Sequence, residues 1–186
     1  MKLTLSRHTR YDRTSQAFHW ATALLVLITF TLGPGDFGHL IAYGKDPGTR
    51  LDIVWHESLG MTIFTLTLLR LVWVAVRPRT PEFPMPPTLR RISRLVHVAL
   101  WSLLLTLPLT ALLALSTEAN PLTLLGGISF SAWPTFTASP LVSILDWGHV
   151  HKLLGDAIVW LAGAHATAAI FHHTVLKDGV LRAMLP

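Results

Sequence analysis

The sequence predicts an all-α membrane protein, a single domain over residues 1–186 built as a four-transmembrane-helix bundle with both termini cytoplasmic. Three observations carry this prediction. First, 51% of the 186 residues are hydrophobic and only 13% are charged, about half the charged share of ordinary soluble domains. Second, four stretches approach or exceed the roughly 20 apolar residues that a helix needs to cross the hydrocarbon core: Thr14–Leu32, Ile53–Val76, Ile92–Leu115 and Val150–Leu176. Third, the cations fall unevenly between the connecting segments. The composition excludes disorder. The absence of cysteine excludes disulfides, thiolate metal sites and cysteine nucleophiles.

The first span follows a basic terminus bearing Lys2, Arg7, Arg10 and Arg13. It is expected to stay uncleaved, because no small-residue cleavage site follows Leu32 and the apolar run contains His19. Gly33-Pro34-Gly35 stops it. The second span ends at a loop with prolines at 78, 81, 84, 86 and 87, and the third leads into Pro121–Leu145. That stretch is apolar but broken by Gly126-Gly127, Pro134 and Pro140, so it reads as an extramembrane or interfacial cap and not as a fifth helix. With Arg77, Arg79, Arg90, Arg91 and Arg94 in the second loop, and Lys177 and Arg182 at the C-terminus, eleven cations share one side. The other side has Lys45 and Arg50, with Lys152 just inside the fourth span. The positive-inside rule places both termini on the cytoplasmic side of an inner membrane, and it accounts for the net charge of +5 without a nucleic-acid partner.

Ionisable side chains within spans are costly and mark function. Here they are mostly imidazoles: His19, His56, His97, His151, His165, His172 and His173. One or two could cap carbonyls or reach an interface; seven point to metal ligation. Imidazole suits Zn, Cu, Fe and Ni, and paired imidazoles suit haem iron. His151 and His165 are 14 residues apart on one span, which puts them on nearly the same helical face about 21 Å apart. Zinc ligands converging on one ion would stand three or four residues apart. The longer interval fits two stacked sites served by one helix.

His56 opens the second span on the outer side, level with His151. His165 has two candidate partners at its depth, His19 and His97, which topology alone does not separate. His56 and His151 each precede a glycine by four residues, Gly60 and Gly155; a glycine one turn beyond a ligand leaves room for a planar macrocycle. Arg70 stands 14 residues after His56 and could bind a haem propionate. It could equally pair with Asp156 or reach the cytoplasmic surface. Glu57 and Asp156 could orient an imidazole or pair with Lys152 or Arg70. The small-residue run 162–169 suits either helix packing or contact with a macrocycle.

These residues resemble the bacterial cytochrome b561 family, in particular its superoxide oxidase branch. The likeness is carried by Ser15-Gln16-Ala17-Phe18-His19-Trp20, Trp55-His56, His97 with Leu107-Pro108, His151, Gly163-Ala164-His165, His172-His173, Lys177-Asp178 and Met184-Leu185-Pro186. It covers essentially the whole chain. The resemblance implies two haem b groups, with His19 and His165 on the cytoplasmic-side iron and His56 and His151 on the periplasmic-side iron. It also implies a ubiquinone site near the inner haem, with His97 and His172 as quinone ligands and proton relays. The implied activity is oxidoreductase: superoxide on the periplasmic side gives electrons through the two haems to ubiquinone. Lys45, Arg50 and Lys152 could steer the anion, unless Asp36, Asp46, Asp52 and Asp146 cancel them. An alternative is electron transfer between the quinone pool and a periplasmic redox protein docked on Phe130, Trp133 and Trp147. A more distant one is a His-lined channel or transporter.

Overall fold

The computed structural model describes residues 10–33, 35, 47–77, 81, 83–117, 120–130 and 140–185. The expectations for Lys2, Arg7, Lys45, Arg79 and Trp133 lie outside these residues. Four long helices dominate: α1 (Arg13–Thr31), α2 (Leu51–Val76), α3 (Pro87–Thr117) and α4 (Trp147–Phe171). A short α5 (Val180–Met184) follows.

Their ends have local causes. Asp12 caps α1 by accepting the backbone N–H of Ser15, and Asp146 caps α4 through the N–H of His149. Pro87 opens α3 at the first helical position, where its missing N–H costs nothing. The third helix therefore starts five residues before Ile92, carrying Arg90 and Arg91 past the expected span. Pro108 lies inside α3 without ending it, as is tolerated in membrane helices where neighbouring groups satisfy the freed backbone. After Phe171 the chain widens into a π-helical turn, His172–Leu176, and stops at Lys177 in the left-handed region (φ 51°).

Helices α2, α3 and α4 with its π-helical extension are each long and apolar enough to cross a membrane. Helix α1 is shorter, and Ser15, Gln16 and His19 dilute its apolar run. The outward faces are apolar: Leu24, Val72 and Val98 are exposed, and Trp160 is 82% exposed. In a soluble protein such surfaces would aggregate; against lipid they are the expected exterior. Within the bundle α1 pairs with α2 and α3 packs along α4. The buried centre is small: Ile63, Leu104 and Ile158, with Val26 packed against them, form an apolar waist drawn from all four helices.

In the cap, the described residues form a two-stranded hairpin, β1 (Leu122–Leu124) and β2 (Ile128–Phe130), paired antiparallel. Its turn uses Gly126 and Gly127 at positive φ, 86° and 76°. A single helical turn follows at Pro140–Ser143.

Candidate functional site

Two imidazole pairs face each other across the bundle, one on either side of the apolar waist. In the first, His56 of α2 and His151 of α4 have ring centroids 6.1 Å apart. Each ring is aimed by a backbone carbonyl. His56 donates its Nδ1–H to Thr29 of α1 at 2.8 Å, and His151 donates to Leu107 of α3 at 3.0 Å, with the Thr110 hydroxyl at 3.3 Å. A carbonyl can only accept, so the proton sits on Nδ1 and Nε2 is left as the ligating nitrogen. Gly33 lies against the His56 ring, its absent Cβ 3.6 Å from it.

Both rings line an apolar cavity, together with Gly60, Gly155, Met61 and Pro108. A Cβ at Gly60 or Gly155 would meet nothing within 4 Å, so these glycines border open space, as their spacing from the histidines predicts. The hairpin closes the outer end. Glu57 accepts the N–H of Thr123 at 2.7 Å, Ser58 accepts the N–H of Leu125 at 2.9 Å, and Leu122 reaches the cavity wall. Glu57 thus pins the cap; it neither orients an imidazole nor pairs with Lys152 or Arg70.

In the second pair, His19 of α1 and His165 of α4 have centroids 6.3 Å apart. His97 of α3 approaches His165 more closely, at 5.1 Å. Among the described residues, no hydrogen bond holds the ring of His19 or His165. His97 donates Nδ1–H to Ser93 at 2.6 Å and is exposed at the bundle surface. Arg70 lies with its guanidinium 4.9 Å from the centre of the Trp101 ring. Asp156 is taken by Lys152 at 3.2 Å, so it is not the partner of Arg70. Among the described residues Arg70 has no carboxylate partner, and cation–π contact is what holds it. His172 sits on the π turn, its Nδ1 bonded to Asp178.

A metal–imidazole bond is about 2 Å long and the nitrogen sits about 1 Å from its ring centre, so two imidazoles on opposite sides of one ion stand roughly 6 Å apart, centroid to centroid. Both pairs have this spacing; His97 and His165 are closer than it. Among the described residues no three His, Asp or Glu side chains converge as a metal cluster. His56 with His151, and His19 with His165, would each supply the two imidazoles that a haem takes from a protein of this kind.

Other expectations fare differently. Arg50 is ion-paired with Asp52 and Lys152 with Asp156. In the run 162–169, Ala162, His165 and Ala169 are half-buried while Gly163, Ala164 and Thr167 are exposed.

One structural device escaped the sequence reading. Gln16 donates to the carbonyls of Ala183 and Leu185, Trp20 to Met184, and the backbone N–H of Tyr11 to Ala183. Ser15 receives Trp73 and Arg77, each at 3.1 Å, while donating to Asp12. The start of α1, the end of α2 and the C-terminus are therefore clamped together beside the second pair. The motif residues around His19 act as this clamp, and only their long-range partners reveal it.

The chain can now be set against known proteins. The model of the family described as prokaryotic cytochrome b561 matches residues 10–186. Cytochrome b561 homolog 2 of Escherichia coli K12 is 28% identical over 180 residues, covering 95% of this chain and 91% of the relative. Cytochrome b561 homolog 1 of the same organism is 29% identical, covering 95% and 97%. A protein of Yersinia pestis named probable superoxide oxidase CybB is 25% identical, covering 96% and 97%. By its sequence, its apolar helices and its paired imidazoles, this chain belongs to the prokaryotic cytochrome b561 family, the membrane electron-transfer cytochromes that carry haem b.

Proposed function

We propose that this protein carries electrons across the bacterial inner membrane from periplasmic superoxide to ubiquinone, using two haem b groups. The observation that carries the reading is the repetition of one geometry: two imidazole pairs, 6.1 and 6.3 Å between centroids, spaced 14 residues along α4. All four long helices cross the membrane in this reading. Both termini are cytoplasmic, because Arg77, Arg90, Arg91, Arg94, Lys177 and Arg182 gather at one end.

The residues present fit haem. His56 and His151 would hold the outer iron, each with Nε2 freed by its carbonyl bond, beside two glycines that border open space. His19 and His165 would hold the inner iron, since their spacing matches an ion between them and that of His97 does not. Arg70, without a carboxylate partner, would receive a propionate. When bound, haem iron would supply the one-electron transfer.

The chain's residues do the rest. The hairpin pinned by Glu57 and Ser58 covers the outer pair and limits water there. Oxidation of superoxide to O₂ releases no proton and needs none, which agrees with an outer site lined by apolar groups. Quinone reduction takes two electrons and two protons. His97, exposed beside His165, and His172, about two helical turns beyond His165, would bind the quinone oxygens and move those protons. Likeness to the Yersinia protein named probable superoxide oxidase supports the choice of donor.

The second reading, a periplasmic redox protein as the donor, is favoured by one feature: Ile128 and Phe130 of the hairpin are each 54% exposed above the outer pair. A single experiment separates the two. The purified, oxidised protein is given a superoxide pulse in a stopped-flow spectrometer, with and without ubiquinone. A reduced b-type band that quinone then bleaches is the expected result. A band raised by dithionite or quinol but not by superoxide would transfer the donor role to a protein. No band under any reductant would end the haem reading.

A further inference from the structure

Asp178 has no role in the electron path, yet it is built into the cytoplasmic end with unusual care. The α-helix does not simply stop after Phe171. It widens to the π-helical turn His172–Leu176, and Lys177 (φ 51°) and Gly179 (φ 81°) both take the left-handed region. Widened helical turns of this kind recur at functional positions. Their combined effect is to fold the chain back on itself, so that the Asp178 carboxylate meets the imidazole of its own helix. Oδ2 accepts the Nδ1–H of His172, and Oδ1 accepts the backbone N–H of Val180 at 3.2 Å. The Asp178 N–H in turn approaches the His172 carbonyl at 3.4 Å. Both side chains are mostly enclosed, 12% and 18% exposed. Among the described residues nothing occupies Nε2 of His172.

We infer that Asp178 is the positioning residue of His172, fixing its proton on Nδ1 and presenting Nε2 to a quinone oxygen bound beside the inner pair. The inference rests on the quinone-reducing reading above. In the balanced reaction, two superoxide anions become two O₂, and the quinone takes up their two electrons and two protons to become quinol. His172 delivers one of those protons from Nε2 to a quinone carbonyl oxygen. The O–H bond forms as the Nε2–H bond breaks, and the ring regains a proton from cytoplasmic water. Throughout, the carboxylate keeps Nδ1–H in place and balances the charge of the doubly protonated ring. This is the orienting role a carboxylate plays for any histidine that must use its far nitrogen.

The test uses the full-length holoprotein in detergent, reduced with dithionite, freed of excess reductant and mixed with a soluble short-chain ubiquinone. No superoxide is involved, so the outcome does not depend on the donor. Asp178→Asn should leave the haem spectrum and the haem content unchanged. It should slow reoxidation by quinone about tenfold or more, with most of the loss in the limiting rate at saturating quinone and little in the quinone concentration that gives half of it. The solvent deuterium isotope effect on reoxidation should rise, because proton delivery becomes limiting; a merely structural change would not move it. Asp178→Glu should recover part of the rate. Wild-type reoxidation rate and isotope effect in Asp178→Asn would overturn the inference, as would haem loss in both Asp178→Asn and Asp178→Glu. Failure of the wild-type protein to be reoxidised by quinone would overturn the quinone reading itself and this inference with it.

Discussion

The two imidazole pairs share a spacing and differ in almost everything around it. At the outer pair both rings are fixed by backbone carbonyls, those of Thr29 and Leu107, inside an apolar cavity closed by a hairpin. At the inner pair neither ring has such a bond among the described residues. A third imidazole stands 5.1 Å from His165, and a guanidinium lies over Trp101 nearby. In the proposed reading, the first of these sites would hold a cofactor that exchanges only electrons. The inner site gathers polar groups that can exchange protons, and its position is set from outside, by the clamp joining Ser15, Gln16 and Trp20 to α2 and the C-terminus. The glycines follow the same division. One turn beyond His56 and His151 stand Gly60 and Gly155; one turn beyond His19 and His165 stand Ala23 and Ala169.

The largest effect separates the two sites outright. Replacing His56 or His151 with alanine should remove about half of the b-type absorbance and leave the inner haem reducible by quinol. His19→Ala or His165→Ala should remove the other half and abolish exchange with quinone. Haem counted per chain by the pyridine haemochrome assay, with quinol titration of what remains, checks both. Loss of both haems from any single substitution would mean that the pairs are not independent. Next in size is His97→Ala. It should keep both haems and slow quinone reduction by about a hundredfold, the scale of a lost general acid. Loss of haem instead would make His97 a ligand in place of His19.

A smaller effect sharpens the contrast in packing. A methyl at Gly155 meets open space in the polypeptide alone, so Gly155→Ala should fold with a slight gain in helix propensity, up to about 1 kcal/mol. Gly155→Leu should fold as well but lower the occupancy of the outer haem, with the inner haem unchanged. Equal haem content in the two variants would show that the cavity is not where the macrocycle lies.

How much of this is readable from sequence follows from the range of each interaction. Four apolar runs and their cation bias are local properties, and the four helices lie where those runs predict. Ionisable side chains are so unfavourable in lipid that the histidine positions alone marked His56 with His151, while leaving His165 two candidate partners. The choice between His19 and His97 rests on a spacing that only packing supplies. The carbonyls of Thr29 and Leu107 left no trace, since every residue has a carbonyl. Glu57 meets Thr123 across 66 positions, a distance at which its chemistry suits several partners equally well. Asp178 reaches His172 only through a π turn and a left-handed lysine, a path no periodicity announces.

The smallest effect concerns the clamp that positions the inner site. Burial opposes ionisation of the Asp12 carboxyl, but the bonds from the Ser15 hydroxyl and N–H outweigh it and hold it below the ordinary carboxylate range. A group whose folded pKa is lowered contributes stability that is complete above its unfolded pKa and is lost as the pH falls through the folded value. Asp12→Ala removes both the cap of α1 and the partner of Ser15, and should destabilise the protein by about 1 kcal/mol at neutral pH. Melting curves of the two proteins, followed by far-ultraviolet circular dichroism in detergent, should therefore be separated at neutral pH and converge as Asp12 protonates in the wild type. Because Ser15 also receives Trp73 and Arg77, the loosening should be felt at the inner pair first, as a broader haem band there with the outer band unaltered. A gap between the curves that persists undiminished at acid pH would mean that Asp12 acts through packing and not through its charge.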